Sequence, residues 1–224
     1  MMEETISTKR STVLRKNNSN ELIITIDSSL LQNIFLINGT SFKTREISKQ
    51  NLIIKPESCY MIINQGKNSI EVQYNRDVSE HEIIYNPYKF ENSDKINYHA
   101  EYFIERYEIP EDYIDILPKW YSFKFTYPHY NLIFVKPEFG LSIQFHKQRT
   151  ELWEVLDGKP IILSGYEIYY YVEKNRRFTN HKNAYHSIIN PNKREGEFII
   201  IKERWEGEFD ENDIERIFNP NQYY

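Results

Sequence analysis

The feature that most constrains the fold of this chain is the shortness of its apolar runs. They are only a few residues long, rich in β-branched and aromatic residues, and separated by turn formers such as Asn38-Gly39 and Asn86-Pro87. Short runs of this kind predict antiparallel strands rather than helices. The predicted strands are Leu22–Ile26, Ile34–Ile37, Leu52–Ile54, Tyr60–Ile63, Ile70–Tyr74, Glu82–Tyr85, Ser122–Thr126, Asn131–Val135, Leu141–Phe145, Leu152–Leu156, Ile161–Leu163, Tyr166–Val172, Ser187–Ile189 and Phe198–Lys202. The pattern therefore predicts an all-β chain, built as a sandwich or barrel.

The spacing of these runs divides the chain into four parts. Residues 1–20 are polar and aperiodic, which predicts a flexible arm, and residues 21–97 form a β-rich N-terminal domain. Residues 98–117 are interpreted as a helical connector, with a short helix over Ala100–Tyr107 and a helix start at Pro110. Residues 118–224 form the C-terminal domain, whose tail Asp210–Phe218 is predicted to be a small helix capped by Asp210.

Charge and targeting signals exclude several classes of function. The net charge is −5, from 28 Lys and Arg against 33 Asp and Glu, so we expect no nucleic-acid partner. The single cysteine, Cys59, suits a reducing compartment, and no signal peptide is evident in residues 1–20. No apolar run approaches the 18 or so residues of a membrane span. These features predict a cytoplasmic, intracellular protein without a membrane partner.

Chemistry-bearing residues concentrate in one segment of the C-terminal domain. Gln144 and His146 are two positions apart, so they share one face of a predicted strand. Glu151 follows after a gap long enough for a turn, and His186 lies on a later strand. Two imidazoles, a carboxylate and an amide oxygen on the inside of a barrel suit a divalent metal such as Zn, Fe, Mn, Co or Ni. An open coordination position there would provide Lewis-acid chemistry on a hydroxyl or carbonyl group.

These residues resemble the two motifs of the cupin superfamily, a small jelly-roll β-barrel. The first motif fits Gln144, His146, Glu151 and Gly158, and the second fits His186 and Asn190. Within the superfamily the chain is most similar to the type II mannose-6-phosphate isomerase domain, also found at the C-terminus of mannose-1-phosphate guanylyltransferases. The marks of that group are the stretches Ser142–His146, Arg149–Glu151 with Trp153, and Gly207–Ile217. The resemblance covers about residues 118–217 and leaves the N-terminal half unexplained.

The resemblance implies a metal-dependent aldose–ketose isomerase of a sugar phosphate. It implies metal ligation by Gln144, His146, Glu151 and His186, with zinc as the first expectation. Glu151 and Arg149 are the candidate catalytic residues, and Lys136 and Arg216 are candidates for binding the substrate anion. The chain departs from the family at His129–Leu132, where the family carries basic residues that could hold a phosphate.

Several alternatives stay open at this stage. The chain could be a non-catalytic sugar-binding or structural cupin, or a cupin isomerase or epimerase of nucleotide-linked sugars. The stretch Gln73–Glu80 parallels Gln144–Glu151, so the N-terminal domain could be a degenerate second cupin without a metal. A small-molecule sugar or sugar phosphate is the expected partner, and a homodimer is a further expectation from the resemblance.

Overall fold

The computed structural model describes residues 2–45, 47–208, 210 and 212–223. Its chain forms two compact units: one runs through Tyr88 and includes Tyr166–Ile168, and the other comprises Lys89–Gly165 and Tyr169–Tyr223. The elements of the first half are β1 (Met2–Ile6), β2 (Leu14–Lys16), β3 (Leu22–Thr25), a 3-10 helix (Ser28–Asn33), β4 (Ile34–Asn38), β5 (Ser41–Thr44), a second 3-10 helix (Lys49–Leu52), β6 (Ile53–Ile54), β7 (Cys59–Asn64), β8 (Ile70–Tyr74) and β9 (Glu82–Tyr85).

The remaining elements begin with a single α-helix. They are α1 (Ala100–Arg106), β10 (Asp115–Pro118), β11 (Ser122–Thr126), β12 (Asn131–Val135), β13 (Ile143–Phe145), β14 (Arg149–Asp157), β15 (Ile161–Ser164), β16 (Glu167–Tyr169), β17 (Arg177–Asn180), β18 (His186–Ile189), β19 (Ile199–Gly207) and β20 (Glu215–Phe218). Every strand predicted from the sequence overlaps one of these strands, so the all-β prediction is confirmed.

The first unit is built from two antiparallel sheets. One has the order β1-β8-β3-β6, and the other includes the neighbours β5-β4-β7-β2-β9. Apolar side chains of both sheets meet in one core, among them Leu22 and Val72 from the first and Leu36 and Ile62 from the second. The prediction of a flexible arm over residues 1–20 is wrong, because Met2–Ile6 pairs with Ile70–Tyr74 along its whole length.

The second unit also has two sheets, and side-chain alternation separates its two faces. The larger sheet has the order β10-β11-β12-β19-β14-β17, and the smaller one contains β20-β13-β18-β15. Alternate residues of β12 and β19, such as Ile133 and Ile201, pack with Ile188 of the smaller sheet in a core between the sheets. Because successive strand residues face opposite sides, the intervening residues Phe134 and Ile200 lie on the outer face of the larger sheet.

Helix α1 covers that outer face through an aromatic cluster. Phe103 is fully buried, and its ring centroid lies 4.7 Å from those of both Phe123 and Phe134. The short helix predicted over residues 100–107 is therefore confirmed, but the predicted helix start at Pro110 is wrong. The chain after Pro110 extends the sheet instead, because β10 pairs with β11 in antiparallel register.

The tail of the chain also differs from its prediction. The predicted helix over residues 210–218 is wrong, since Glu215–Phe218 is strand β20 and pairs with β13. The Asp210 side chain does accept a backbone N–H, that of Asn212, but it does so in a turn. Among the described residues, no helix is long and apolar enough to cross a membrane.

The domain boundaries stay predictions. The structure groups residues 89–97 with the second unit, whereas the sequence predicts them in the N-terminal domain. The return of residues 166–168 to the first unit has no counterpart in the sequence pattern.

Candidate metal centre

The first group of site residues lies on β14, where alternate side chains face the interior. Arg149, Glu151, Trp153 and Val155 are buried, whereas the residues between them are less buried. Glu151 is only 2% exposed, and Arg149 only 3%. Every second residue of β14 faces the core between the sheets, as Val155 does. The Glu151 carboxylate therefore lies in the same interior, toward the other end of the strand.

The smaller sheet supplies the second half of the site. Gln144 on β13 is the register partner of both His186 on β18 and Arg216 on β20. Directly opposed residues on neighbouring strands share one face, so these three side chains form a row across the sheet. His186 is only 1% exposed, and its ring packs edge-on against Trp153 with 5.2 Å between centroids.

His146, Glu151 and His186 form a compact donor cluster. One donor atom from each lies within 4.8 Å of the other two. Nε2 of His146 lies 2.9 Å from Oε1 of Glu151, and Nε2 of His186 lies 3.4 Å from Oε2. Among the described residues this is the only group of three or more His, Cys, Asp or Glu donors close enough to hold a metal ion.

Backbone carbonyls orient both imidazole rings toward Glu151. Nδ1–H of His146 donates to the carbonyl of Asp213, and Nδ1–H of His186 donates to the carbonyl of Ala184 at 3.0 Å. A carbonyl oxygen can only accept, so the Nδ1 proton is fixed and Nε2 of each neutral ring presents its lone pair to the cluster. This is the arrangement in which histidine ligates a metal.

Two buried atoms of the cluster have no hydrogen bond. Within the described part of the chain, Oε2 of Glu151 and Nε2 of His186 lack any hydrogen-bonding partner. An unsatisfied buried polar atom costs about 1–3 kcal/mol, more when it is charged. A cation between these atoms would satisfy both, so the donor set fits a divalent metal.

The charges of the cluster are strongly linked. Burial would raise the pKa of Glu151, but the hydrogen bond that the protonated form of His146 donates, together with the positive charges nearby, lowers it to about 2. Burial opposes protonation of His146, yet its bond to Glu151 outweighs burial and raises the pKa of that ring. For His186 burial dominates, and it lowers the pKa despite the carboxylate nearby.

Arg149 holds the carboxylate of Glu151 in place. Its Nε donates to Oε1 of Glu151 at 3.0 Å, and its Nη1 donates to the carbonyl of Asp210 at 2.7 Å. Its Nη2 lies 3.2 Å from Nε2 of His146, so this ring nitrogen faces a donor as well as an acceptor. Arg149 therefore contacts the metal-ligand candidates directly.

A cavity of about 110 Å³ opens beside the cluster. Its lining includes Gln144, Arg149, Glu151, His186 and Arg216, all of them predicted from the sequence as site residues. The Gln144 side-chain oxygen accepts a hydrogen bond from Ser142 at 2.7 Å. The Lys136 ammonium lies elsewhere, above the rings of Tyr98 and Phe139 and 5.4 Å from each centroid.

Sequence reasoning missed several polar residues that line this cavity. They include Glu203 on β19, Lys124 on β11, and Lys119 just before β11. The signal that could have found Glu203 and Lys124 is strand parity. Glu203 stands two residues after Ile201, and Lys124 lies between the outward-facing Phe123 and Phe125.

Comparison with known proteins supports the resemblance that is predicted for the C-terminal half of the chain. Residues 123–219, somewhat less than half of the chain, match the family model described as mannose-6-phosphate isomerase C-terminal. No curated protein matches this chain in sequence. Its predicted resemblance to that family is confirmed over the matched residues, and the predicted all-β fold class is confirmed by the strands of both units.

Solved structures with similar chains share little sequence with it. A cupin 2 conserved barrel domain protein from Leptotrichia buccalis is 12% identical, with 92% of this chain and 82% of that chain covered and a TM-score of 0.31. A salicylate 1,2-dioxygenase from Pseudaminobacter salicylatoxidans is 6% identical, covering 91% and 69%, with a TM-score of 0.31. A Bacillus subtilis oxalate decarboxylase is 6% identical, covering 93% and 69%, with a TM-score of 0.33.

Proposed function

Because residues 123–219 match the mannose-6-phosphate isomerase C-terminal family, we propose that this chain is a metal-dependent aldose–ketose isomerase of a sugar phosphate. The observation that carries the proposal is the buried cluster of His146, Glu151 and His186 beside a cavity. A binding module would need the cavity, but it would not need two histidines oriented by carbonyls around one carboxylate.

His146, Glu151 and His186 would hold the metal, with Gln144 as a fourth ligand. Their nitrogen and oxygen donors suit zinc first, and iron, manganese, cobalt or nickel as alternatives. When bound, such a metal polarises the carbonyl and hydroxyl oxygens of an open-chain sugar and stabilises negative charge on them. The Gln144 oxygen accepts a hydrogen bond from Ser142 and keeps a second lone pair for the metal.

The chain's own residues prepare the site for this chemistry. Arg149 fixes the Glu151 carboxylate and, as a cation beside the cavity, favours the anionic form of a substrate bound there. The buried walls formed by Trp153 and Ile133 exclude water from the reacting carbons. Removal of water strengthens every electrostatic contact within the site.

Positive charge at the cavity supports a phosphorylated substrate. Lys119, Lys124 and Arg216 line it, and they come from β10–β11 and β20 rather than from β12. Residues 129–132 lack the basic side chains that the family carries there, and these three cations would replace them as partners of a phosphate. Lys136 lies away from the cavity and is not part of this proposal.

The experiment is elemental analysis of the purified protein, followed by assay of mannose 6-phosphate and fructose 6-phosphate interconversion. We expect nearly one divalent metal per chain, and turnover that chelation abolishes and metal restores. His146→Ala and His186→Ala should lose the metal, whereas the exposed His181→Ala should keep it. Metal-bearing protein that is inert on a panel of phosphorylated and nucleotide-linked sugars would refute the isomerase.

Two further expectations accompany this proposal. A homodimer and a cytoplasmic location both stay predictions. A chain without metal whose melting temperature no sugar shifts would instead favour a structural cupin.

A further inference from the structure

Glu203 is a second buried carboxyl group in the same cavity. It lies on β19, lines the cavity and is 8% exposed. None of the ion pairs among the described residues includes it, unlike Glu151, which contacts Arg149, His146 and His186. A buried acid without an ion pair is costly to keep ionised, so its presence here calls for a physical reason.

The sheet register fixes the position of this carboxyl group. Glu203 is the register partner of Asn131 on β12 and of Trp153 on β14, so the three side chains lie in one row. Nδ2 of Asn131 donates to Oε1 at 2.8 Å, and Nε1–H of Trp153 donates to Oε2 at 3.1 Å. Each carboxyl oxygen therefore has one neutral donor, and each keeps a lone pair for a proton or a substrate atom.

The groups around Glu203 balance its two protonation states. Burial, followed by the negative charge of Glu151, raises its pKa to about 7. The Asn131 hydrogen bond and the positive charges of Lys124 and Arg149 act in the opposite direction. A group that can hold or release a proton near neutral pH has the property that general acid–base catalysis requires.

We propose that Glu203 is the proton-transfer residue of the isomerase site, a deduction that rests on the proposed function. Its carboxylate takes the proton from C2 of the open-chain aldose. The C2–H electron pair forms the C1=C2 double bond, and the carbonyl π pair moves onto O1. The carboxylic acid then returns the proton to C1, while the O2 hydroxyl proton passes to O1 and leaves the carbonyl at C2. No oxidant or co-reactant is needed.

This assignment separates two roles that the sequence assigns to one residue. Glu151 is predicted from the sequence as both metal ligand and catalytic group, but its carboxylate already faces both histidines and Arg149. Glu203 lies outside the donor cluster and lines the cavity from the adjacent strand.

The test compares Glu203→Gln with Glu206→Gln, an exposed glutamate three positions along the same strand. For Glu203→Gln we expect wild-type metal content and binding of the substrate, with kcat at least about 100-fold lower, in line with the usual contribution of a general base. The rate at which the C2 hydrogen of the sugar exchanges for solvent deuterium should fall by the same factor as kcat. Glu206→Gln should match the wild type in each measurement.

A spectroscopic readout tests the assignment without turnover. In the wild type, the infrared carboxylic-acid band should appear and disappear across neutral pH, and Glu203→Gln should lack that change. Trp153→Phe removes one donor to the ionised carboxylate, so it should move the acid limb of the kcat profile to higher pH. If Glu203→Gln fails to fold, the Trp153→Phe variant still tests the assignment. A kcat profile whose acid limb stays at the wild-type pH would overturn the role of Glu203.

The outcomes separate this deduction from the function on which it rests. Wild-type protein that binds metal but neither isomerises nor exchanges deuterium on any sugar overturns both. An active wild type whose Glu203→Gln variant keeps kcat and C2 exchange within threefold overturns the role of Glu203 alone, and the carboxyl then only supports Trp153.

Discussion

Replacing Glu151 with glutamine should destabilise the fold strongly, even in the absence of metal. Glu151→Gln keeps the size of the side chain but removes a buried carboxylate that lies 3.0 Å from the Arg149 guanidinium. At that separation and an effective dielectric constant of about 20, the attraction of one charge pair is about 5–6 kcal/mol. Removing one partner of a buried pair typically costs about 3–5 kcal/mol, which is the expected loss of unfolding free energy.

The assay is urea denaturation at neutral pH in the presence of a chelator, so that metal binding does not contribute. Glu154→Gln is the matched control, because Glu154 lies on the same strand and contacts a largely exposed arginine, Arg177, also at 3.0 Å. Loss of that surface pair should lower the free energy of unfolding by only about 0–1 kcal/mol. Adding Arg149→Met to Glu151→Gln should recover part of the loss, since it removes a buried positive charge that the glutamine no longer neutralises.

The pH dependence of the loss gives a second check. The pKa of Glu151 is lowered in the folded state to about 2, from an ordinary value of 4.5. The stability that it contributes is therefore fully present above the ordinary value and is lost as the pH falls toward 2. The difference between wild type and Glu151→Gln should decline as the pH rises through the raised pKa of His146, and it should also shrink as the pH falls to about 3. A loss below about 1 kcal/mol at neutral pH, or one that grows as the pH falls below 4.5, would refute the reasoning.

Two further predictions concern the cavity and the outer core. Lys119→Gln and Lys124→Gln should each raise the KM for a sugar phosphate roughly tenfold, the value of a lost charge-assisted hydrogen bond. Lys136→Gln should leave KM unchanged, and an equal effect of all three would contradict the assignment of the phosphate contacts. Phe103→Ala should cost about 3–5 kcal/mol of unfolding free energy, because it empties the centre of a buried aromatic cluster. The neighbouring Ile104→Ala is its control in urea denaturation, since Ile104 is 45% exposed and should cost little.

The sequence was informative wherever one local pattern decided the structure. The spacing of Gln144, His146 and Glu151 and the later His186 predicts a site whose residues the fold does bring together. Alternation along a strand predicts which residues share a face, so a pattern of period two is readable without any knowledge of the partner strands.

The errors arose where distant pairing decided the structure. The centre of the segment 2–6 is polar and charged (Glu3, Glu4 and Thr5), yet the segment forms a strand because β8 offers an edge to pair with. The segment 215–218 has the composition of a short helix, but pairing with β13 makes it a strand. Strand parity places Glu203 on the inner face of β19, but no local pattern predicts its hydrogen bonds to Asn131 and Trp153, which lie 72 and 50 positions away.

Asp210 and Asp213 determine when the site can form during synthesis of the chain. The carbonyl of Asp213 holds His146, that of Asp210 holds Arg149, and the Asp213 carboxylate accepts the backbone N–H groups of Lys147 and Gln148. Residues 210–213 are translated after all three metal-ligand candidates. His146 and Arg149 on a growing chain therefore lack their final orientation until Asp210 and Asp213 leave the ribosome, so metal capture is expected to follow folding of the second unit rather than to initiate it.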